Sequence, residues 1–250
     1  AIGKAAGAAI TTGARITALG FEAADALTIG DDNLAIGYQA MSALSTTDGS
    51  DKNIAIGNYA MDGVSTLAAT DNVFIGYGSG GGSWTGTLSQ RNVALGNNTL
   101  GGAMDAAVDI VAIGYNAGAA CTSGVTNVLV GSNAGASLTT GNTSIAIGNL
   151  AMSTHTTGNT NIAIGYNAMD DTDAGSTSLD AGGNIFIGTN SGGGTWADAD
   201  NTGNVCLGGN TMNGALSTAQ SNTCIGPSAG NDMVYNDYCV ALGYNAQASA

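Results

Sequence analysis

The sequence predicts an all-β chain wound as a parallel β-solenoid of about 14 coils, and three observations lead there. A short phrase, NIAIG in its fullest form, recurs from one end of the 250 residues to the other. Its copies lie 17 to 23 residues apart, the period of a chain that stacks one small structural unit on the next. No window sustains the 3.6-residue apolar period that a helix needs.

Aligned on its closing glycine, the phrase falls at Gly3, Gly20, Gly37, Gly57, Gly76, Gly96, Gly114, Gly131, Gly148, Gly165, Gly188, Gly208, Gly226 and Gly243. The residue before the glycine is Ile, Leu or Val in all 14 copies, and the residue three before is aliphatic in 11 of 13, so the segment reads as a short strand. Side chains alternate across a strand, so these two aliphatics share a face. That face is the expected solenoid core: Ile36, Ile56, Ile75, Leu95, Ile113, Val130, Ile147, Ile164, Ile187, Leu207, Ile225 and Leu242. Asn stands four before the glycine in 9 of 13 copies, where it suits a turn that its side chain caps. The glycine itself allows a tight corner.

The residue between the two aliphatics points the other way, and it too is apolar throughout: Ala35, Ala55, Phe74, Ala94, Ala112, Leu129, Ala146, Ala163, Phe186, Cys206, Cys224 and Ala241. A strand dry on both sides needs a second cover. Other copies of the same chain supply it, the small alanines permitting close approach about a shared axis, so this column is the expected intersubunit core.

A longer period overlies the coil. NVFIGYGSGGGSW at 72–84 resembles NIFIGTNSGGGTW at 184–196, and AIGKAAGAAITTG at 1–13 resembles AIGYNAGAACTSG at 112–124. Six coils thus form a unit of about 112 residues, near 33–144 and 145–250, with a partial unit at 1–32. The chain opens and stops in mid-phrase, and we expect residues 1–250 to be a single solenoid segment of a longer fibre.

Composition excludes several partners. The net charge of −14, from 18 acids against Lys4, Arg15, Lys52 and Arg91, repels phosphate, which argues against nucleic acid and anionic membranes. No apolar run reaches the roughly 18 residues of a membrane span. Cys121, Cys206, Cys224 and Cys239 lack zinc spacing and read as small buried apolar residues.

Catalytic chemistry finds no support, and no catalytic residue or cofactor is assigned. The one histidine, His155, lies in the polar stretch STHTTGN and reads as a solvated loop residue rather than a base. A depolymerase would pair carboxylates on neighbouring coils, yet the acids gather in the connections. Those connections offer at most Ca²⁺: Asp198 and Asp200 begin like a calcium loop whose twelfth position is Gly209 instead of Glu, and MDDTDAG at 169–175 is similarly incomplete. Trp84 and Trp196 each follow a GGG run. They are the candidate receptor contacts if their rings are exposed to stack on sugar faces, and coil covers if they fold back. Met41, Met61, Met152, Met169 and Met212 all fall four after the glycine, a regularity of packing.

The phrase Asn161, Ala163, Ile164, Gly165, Ala168, repeated with small residues, resembles the head repeat of YadA-type trimeric autotransporter adhesins. It is more similar still to the NTAIGYNAL…TTGN arrays of phage tail fibres. The resemblance implies a left-handed parallel β-roll, homotrimeric, with three chains packed about one axis. It implies a non-enzymatic fibre shaft or adhesin segment on a virion or other extracellular surface, most of all a phage tail fibre. The expected partner is a host cell-surface glycan or protein. A bacterial trimeric surface adhesin is the alternative. An ice-binding solenoid is disfavoured because no Thr-x-Thr array recurs, and a polysaccharide depolymerase because the acids do not pair.

Overall fold

The structure is a computed structural model that describes residues 1–44, 50–63, 69–84, 88–170, 181–196, 201–216, 219–233 and 236–247. Among these residues the chain is all-β, without helix, and forms a parallel β-solenoid. It divides into two compact units, 1–126 and 127–250.

In the first unit the strands are β1 (Thr17–Leu19), β2 (Leu34–Ile36), β3 (Ile54–Ile56), β4 (Ala69–Thr70), β5 (Val73–Ile75), β6 (Ser89–Gln90), β7 (Val93–Leu95) and β8 (Val111–Ile113). The second holds β9 (Val128–Val130), β10 (Ile145–Ile147), β11 (Ile162–Ile164), β12 (Ile185–Ile187), β13 (Val205–Leu207), β14 (Thr223–Ile225) and β15 (Val240–Leu242). Within each unit the phrase strands pair in parallel with their equivalents one coil on, residue for residue: Ala35 opposes Ala55, and Phe186 opposes Cys206. A second, narrower ladder runs along another edge of the first unit, where β4 pairs β6 and continues through Gln90–Val108 and Val108–Val125.

The backbone bonds continue around the corners. Gly76 N–H donates to Ile56 C=O at 2.8 Å, and Met61 N–H to Ser79 C=O at 2.9 Å. The closing glycine is obligatory at the corner: Gly37 sits at φ +135°, and a Cβ there would lie 2.5 Å from the Gly57 carbonyl oxygen. Coils this close admit no side chain at that place.

The recurrent asparagines are interior. Asn33, Asn53, Asn72 and Asn92 are buried and joined in series, each Nδ2 donating to the Oδ1 of the preceding one at 3.1 Å. The same Nδ2 reaches across the coil to a backbone carbonyl, as from Asn53 to Ala69 at 2.6 Å and from Asn92 to Ala107 at 2.8 Å. Asn161, Asn184, Asn204 and Asn222 repeat the arrangement in the second unit. The turn-capping role expected from sequence is thus a ladder inside the coil, and it satisfies backbone groups that no water reaches.

Asn and the middle strand residue are two apart and share a face, so the two faces assigned from sequence are exchanged. The column expected between subunits lies inside the single chain: Ala35, Ala55, Phe74, Ala94, Ala112, Leu129, Ala146, Ala163, Phe186, Cys206 and Cys224 are fully buried, and Ala241 is 1 % exposed. The column expected in the core faces outward. Ile36, Ile56, Ile75, Val130 and Ile164 are half-buried, while Leu95, Ile113, Ile147, Ile187, Leu207, Ile225 and Leu242 are exposed. Bulk was the misleading cue. The coil is thin, and the space beside each small strand residue is taken by side chains arriving from the opposite wall. Met41 and Met152 stand at the places equivalent to Gly80 and Gly135, where an added Cβ would meet Phe74 and Leu129, and Met41, Leu44, Met152 and His155 are all buried.

Candidate functional site

Trp84 and Trp196 belong to that interior. Trp84 is 2 % exposed and Trp196 fully buried, so of the two readings open from sequence the rings are coil covers and not exposed receptor contacts. Each indole packs on the phenylalanine of its own coil, Phe74–Trp84 with centroids 5.6 Å apart and Phe186–Trp196 at 5.7 Å. The Trp84 Nε1–H donates to the Gly80 carbonyl at 3.0 Å. The preceding glycines make room for the rings, since a Cβ on Gly80 would meet Phe74 Cδ1 at 2.7 Å. His155 is likewise buried rather than solvated, its Nε2 lying 3.1 Å from Asn161 Nδ2. The calcium candidates Asp198 and Asp200 lie outside the described residues. Among the described residues no three His, Cys, Asp or Glu side chains gather as a metal site. Nor is any helix there long and apolar enough to cross a membrane.

Three surface features arise because coils stack in register. The first is the aliphatic strand face. Leu95 and Ile113 in one unit, and Ile147, Ile187, Leu207 and Ile225 in the other, are 37–41 % exposed. Beside them run half-buried aliphatics such as Val93, Val111, Ile145 and Ile185. Both outward positions of successive strands are therefore apolar, and single exposed leucines are ordinary where such a stripe is not.

The second is a charged column just before the Asn ladder: Arg15, Asp32, Lys52, Asp71, Arg91 and Asp109 follow one another in alternating sign, all at left-handed φ of 55–60°. Three of the four basic residues of the chain stand here. Arg15 grips Asp32 with two bonds, Nη2–H donating to Oδ2 at 2.8 Å, and Arg91 grips Asp109 at 2.7 and 3.0 Å. The paired guanidinium holds each of these two carboxyls below the usual carboxylate range, the hydrogen bond being the larger cause. These pairs are exposed, which limits their worth.

The third is an aromatic ladder confined to the first unit. Lys4 Nζ lies 5.6 Å from the Phe21 ring centroid. Phe21 stacks on Tyr38 at 5.4 Å with planes 12° apart. Tyr38 and Tyr59 then meet edge-to-face at 5.2 Å, as do Tyr59 and Tyr77 at 5.5 Å. Asparagine side chains hold the carrying corners, Asn58 Oδ1 accepting from Tyr38 N–H at 2.9 Å and Asn97 Oδ1 from Tyr77 N–H at 3.2 Å. At its end the ladder borders an open cleft of about 330 Å³, lined by Tyr59, Tyr77, Asp62, Asn98, three glycines and Ala119. Burial pushes the Asp62 carboxyl above its ordinary range. The signal for this ladder lay in the sequence: Tyr follows the glycine at Tyr38 and Tyr77, and GNY replaces the usual order at 57–59. It emerges only when residues beyond the strand are aligned coil on coil.

Compared with protein-family models, curated proteins and solved structures, the chain gives no match to any of the three.

Proposed function

We propose that the chain is a shaft or adhesin segment of a homotrimeric fibre, built as a left-handed roll of fourteen coils. In this reading it is non-enzymatic, is carried on the surface of a virion as part of a tail fibre, and attaches to a host surface. The observation that supports it is the aliphatic strand face. An outward stripe in each unit, Leu95 and Ile113 in one and Ile147, Ile187 and Ile225 in the other, repeated by the same rule as the coil itself, calls for a cover with the same repeat. A second and third copy of this chain have that repeat, and a closed ring of three leaves no stripe uncovered. The interior alanines then serve the single coil, and Ile147 and its equivalents serve the assembly.

Light scattering tests this directly. The wild-type mass should be three times the 24.2 kDa of one chain. Ile147→Asp with Ile187→Asp should yield folded single chains with unchanged β circular dichroism. Ala146→Asp should instead abolish folding, because it buries a carboxylate with no partner, at a cost of several kcal/mol. A wild-type protein that is monomeric at every concentration would refute the trimer.

A further inference from the structure

The cleft at the end of the aromatic ladder has the make-up of a ligand site rather than of a packing defect. Its volume of about 330 Å³ suits one small ring, at the low end of ligand clefts, which span roughly 300–1,000 Å³. Two rings, Tyr59 and Tyr77, stand at its wall, and Tyr77 is 53 % exposed. Gly78, Gly81 and Gly101 form a floor without side chains. A Cβ on Gly81 would project to 3.0 Å from Asp62 Oδ1, and one on Gly78 to 3.0 Å from Asn98 Oδ1. The floor therefore keeps two polar groups open to the space. Among the described residues no cation or side-chain donor pairs with the Asp62 carboxylate. Asn98, exposed at the rim, carries an amide that both donates and accepts.

These parts select a chemistry. An aromatic face packs against an apolar, C–H-rich face of a ring, while a carboxylate and an amide take hydroxyl groups at its edge. A nucleotide or sulfated ligand is disfavoured by Asp62 and by the net charge of −14. A metal ion would need more ligands than one carboxylate. We propose that the cleft between Tyr59, Tyr77, Asp62 and Asn98 binds a single residue of a neutral saccharide, with Tyr77 stacking on the ring and Asp62 and Asn98 accepting and donating at its hydroxyls. The inference rests on the attachment reading above and names the class of surface molecule attached to. In a trimer the site is present three times, and several weak contacts made together raise the apparent affinity without any new contact.

The test applies the whole protein to immobilised neutral oligosaccharides of glucose, galactose, mannose and N-acetylglucosamine, with sialylated and sulfated sets beside them. Wild type, Tyr77→Ala, Gly81→Ala and Asn98→Ala are compared, and melting is recorded for each. Wild type should bind a neutral set and not the anionic ones. Each variant should lose about tenfold or more in affinity, the equivalent of one good contact. Asn98→Ala changes an exposed side chain at a left-handed φ of 53° and should lower melting only slightly, so its result stands even if another variant folds poorly. Absence of neutral-glycan binding by wild type, or binding undiminished in Asn98→Ala and Gly81→Ala, overturns the site. Attachment to bacterial cells is scored separately. Cell binding by a protein that takes no oligosaccharide removes the cleft and leaves the attachment reading intact. Oligosaccharide binding without cell attachment does the reverse.

Discussion

A β-carbon on Gly135 would stand 2.8 Å from Cδ2 of Leu129. One coil on, Ala146 occupies the place of Leu129 and Met152 the place of Gly135. The two positions share one volume inside the coil. Phe74 with Gly80 and Phe186 with Gly192 obey the same rule, as do Ala35 with Met41 and Ala163 with Met169. Conformation is not the obstacle at Gly135, because Met152 adopts φ 53° where Gly135 has 56°.

Exchange of that volume is therefore a sharp test of the interior. Leu129→Ala should cost about 2–5 kcal/mol as a cavity, and Gly135→Met about 1–3 kcal/mol or more as overpacking. Combined, they recreate the pairing of Ala146 and Met152, and the double variant should be more stable than either single one. Urea unfolding of the four proteins measures the coupling. Additive losses would show that the two sites do not share space.

Asn72 sits mid-ladder, accepting from the N–H and Nδ2 of Asn92 at 3.0 and 3.1 Å and donating to Ser89 C=O at 3.1 Å. Asn72→Ala strands those groups in the interior, at about 1–3 kcal/mol each, so the total loss should exceed about 3 kcal/mol. Asn72→Asp keeps the acceptor, loses the donor and buries a charge, and it should regain stability as pH falls. A melting temperature within a degree or two of wild type for Asn72→Ala would contradict the ladder's role.

Thiol chemistry reads the same interior by another route. Cys121, Cys206 and Cys224 are buried, and burial pushes the Cys121 thiol up to about 11, whereas Cys239 is partly exposed. In native protein an aromatic disulfide reagent should titrate Cys239 quickly and the other three only after unfolding. Fast reaction at two or more sites would mean an open core.

Acid should act on the carboxylates in opposite directions. Asp32 and Asp109 have folded pKa values below their unfolded ones. Their contribution is present above the ordinary carboxylate range of about 4 and is lost as pH falls through the folded values. Asp62 is raised by burial, so its ionised form weighs against folding at neutral pH and the penalty lifts on acidification. Hence Asp32→Asn should destabilise at pH 7 with a gap that closes toward pH 2. Asp62→Asn should stabilise at pH 7, and that gap too should close. Melting curves across pH 2–7 decide, and parallel shifts at every pH would deny both assignments.

Coil length, strand position and parallel register were legible in the sequence because they rest on residues with one physical use. Gly37 and its equivalents allow nothing larger at the corner, and Asn occurs where an amide bridges two coils. The facing of the strand was not legible from bulk, because Ala35 and Ile36 are both apolar and a thin coil decides between them by what arrives from the far wall. The parity of the ladder was the better guide: Asn33 and Ala35 lie two apart, so a buried amide carries the alanine inside with it. Trp84 was ambiguous for a related reason. The run Gly80–Gly81–Gly82 fits an exposed ring as well as a folded-back one until Phe74 shows that Gly80 is space for a ring. The saccharide cleft was hidden because its walls come from four coils whose members match only after alignment beyond the strand.

The amide ladder also has a direction. Every Nδ2 from Asn53 to Asn92 points back toward the coil before it, and every Oδ1 receives from the coil after. Peeling the Asn33 coil away leaves the Asn53 backbone N–H without its acceptor and takes one of the two acceptors of its Nδ2, Ala69 C=O keeping the other. Peeling the Asn92 coil away leaves the Oδ1 of Asn72 without its donors and the backbone N–H of Val73 without its acceptor. Orphaned N–H groups are the rarer and worse-tolerated defect. A break on either side therefore strands N–H groups, and hydrogen exchange should be slow alike at Leu34 and Val93, whose N–H groups are held by the Asn53 and Ile110 carbonyls of the coil after each.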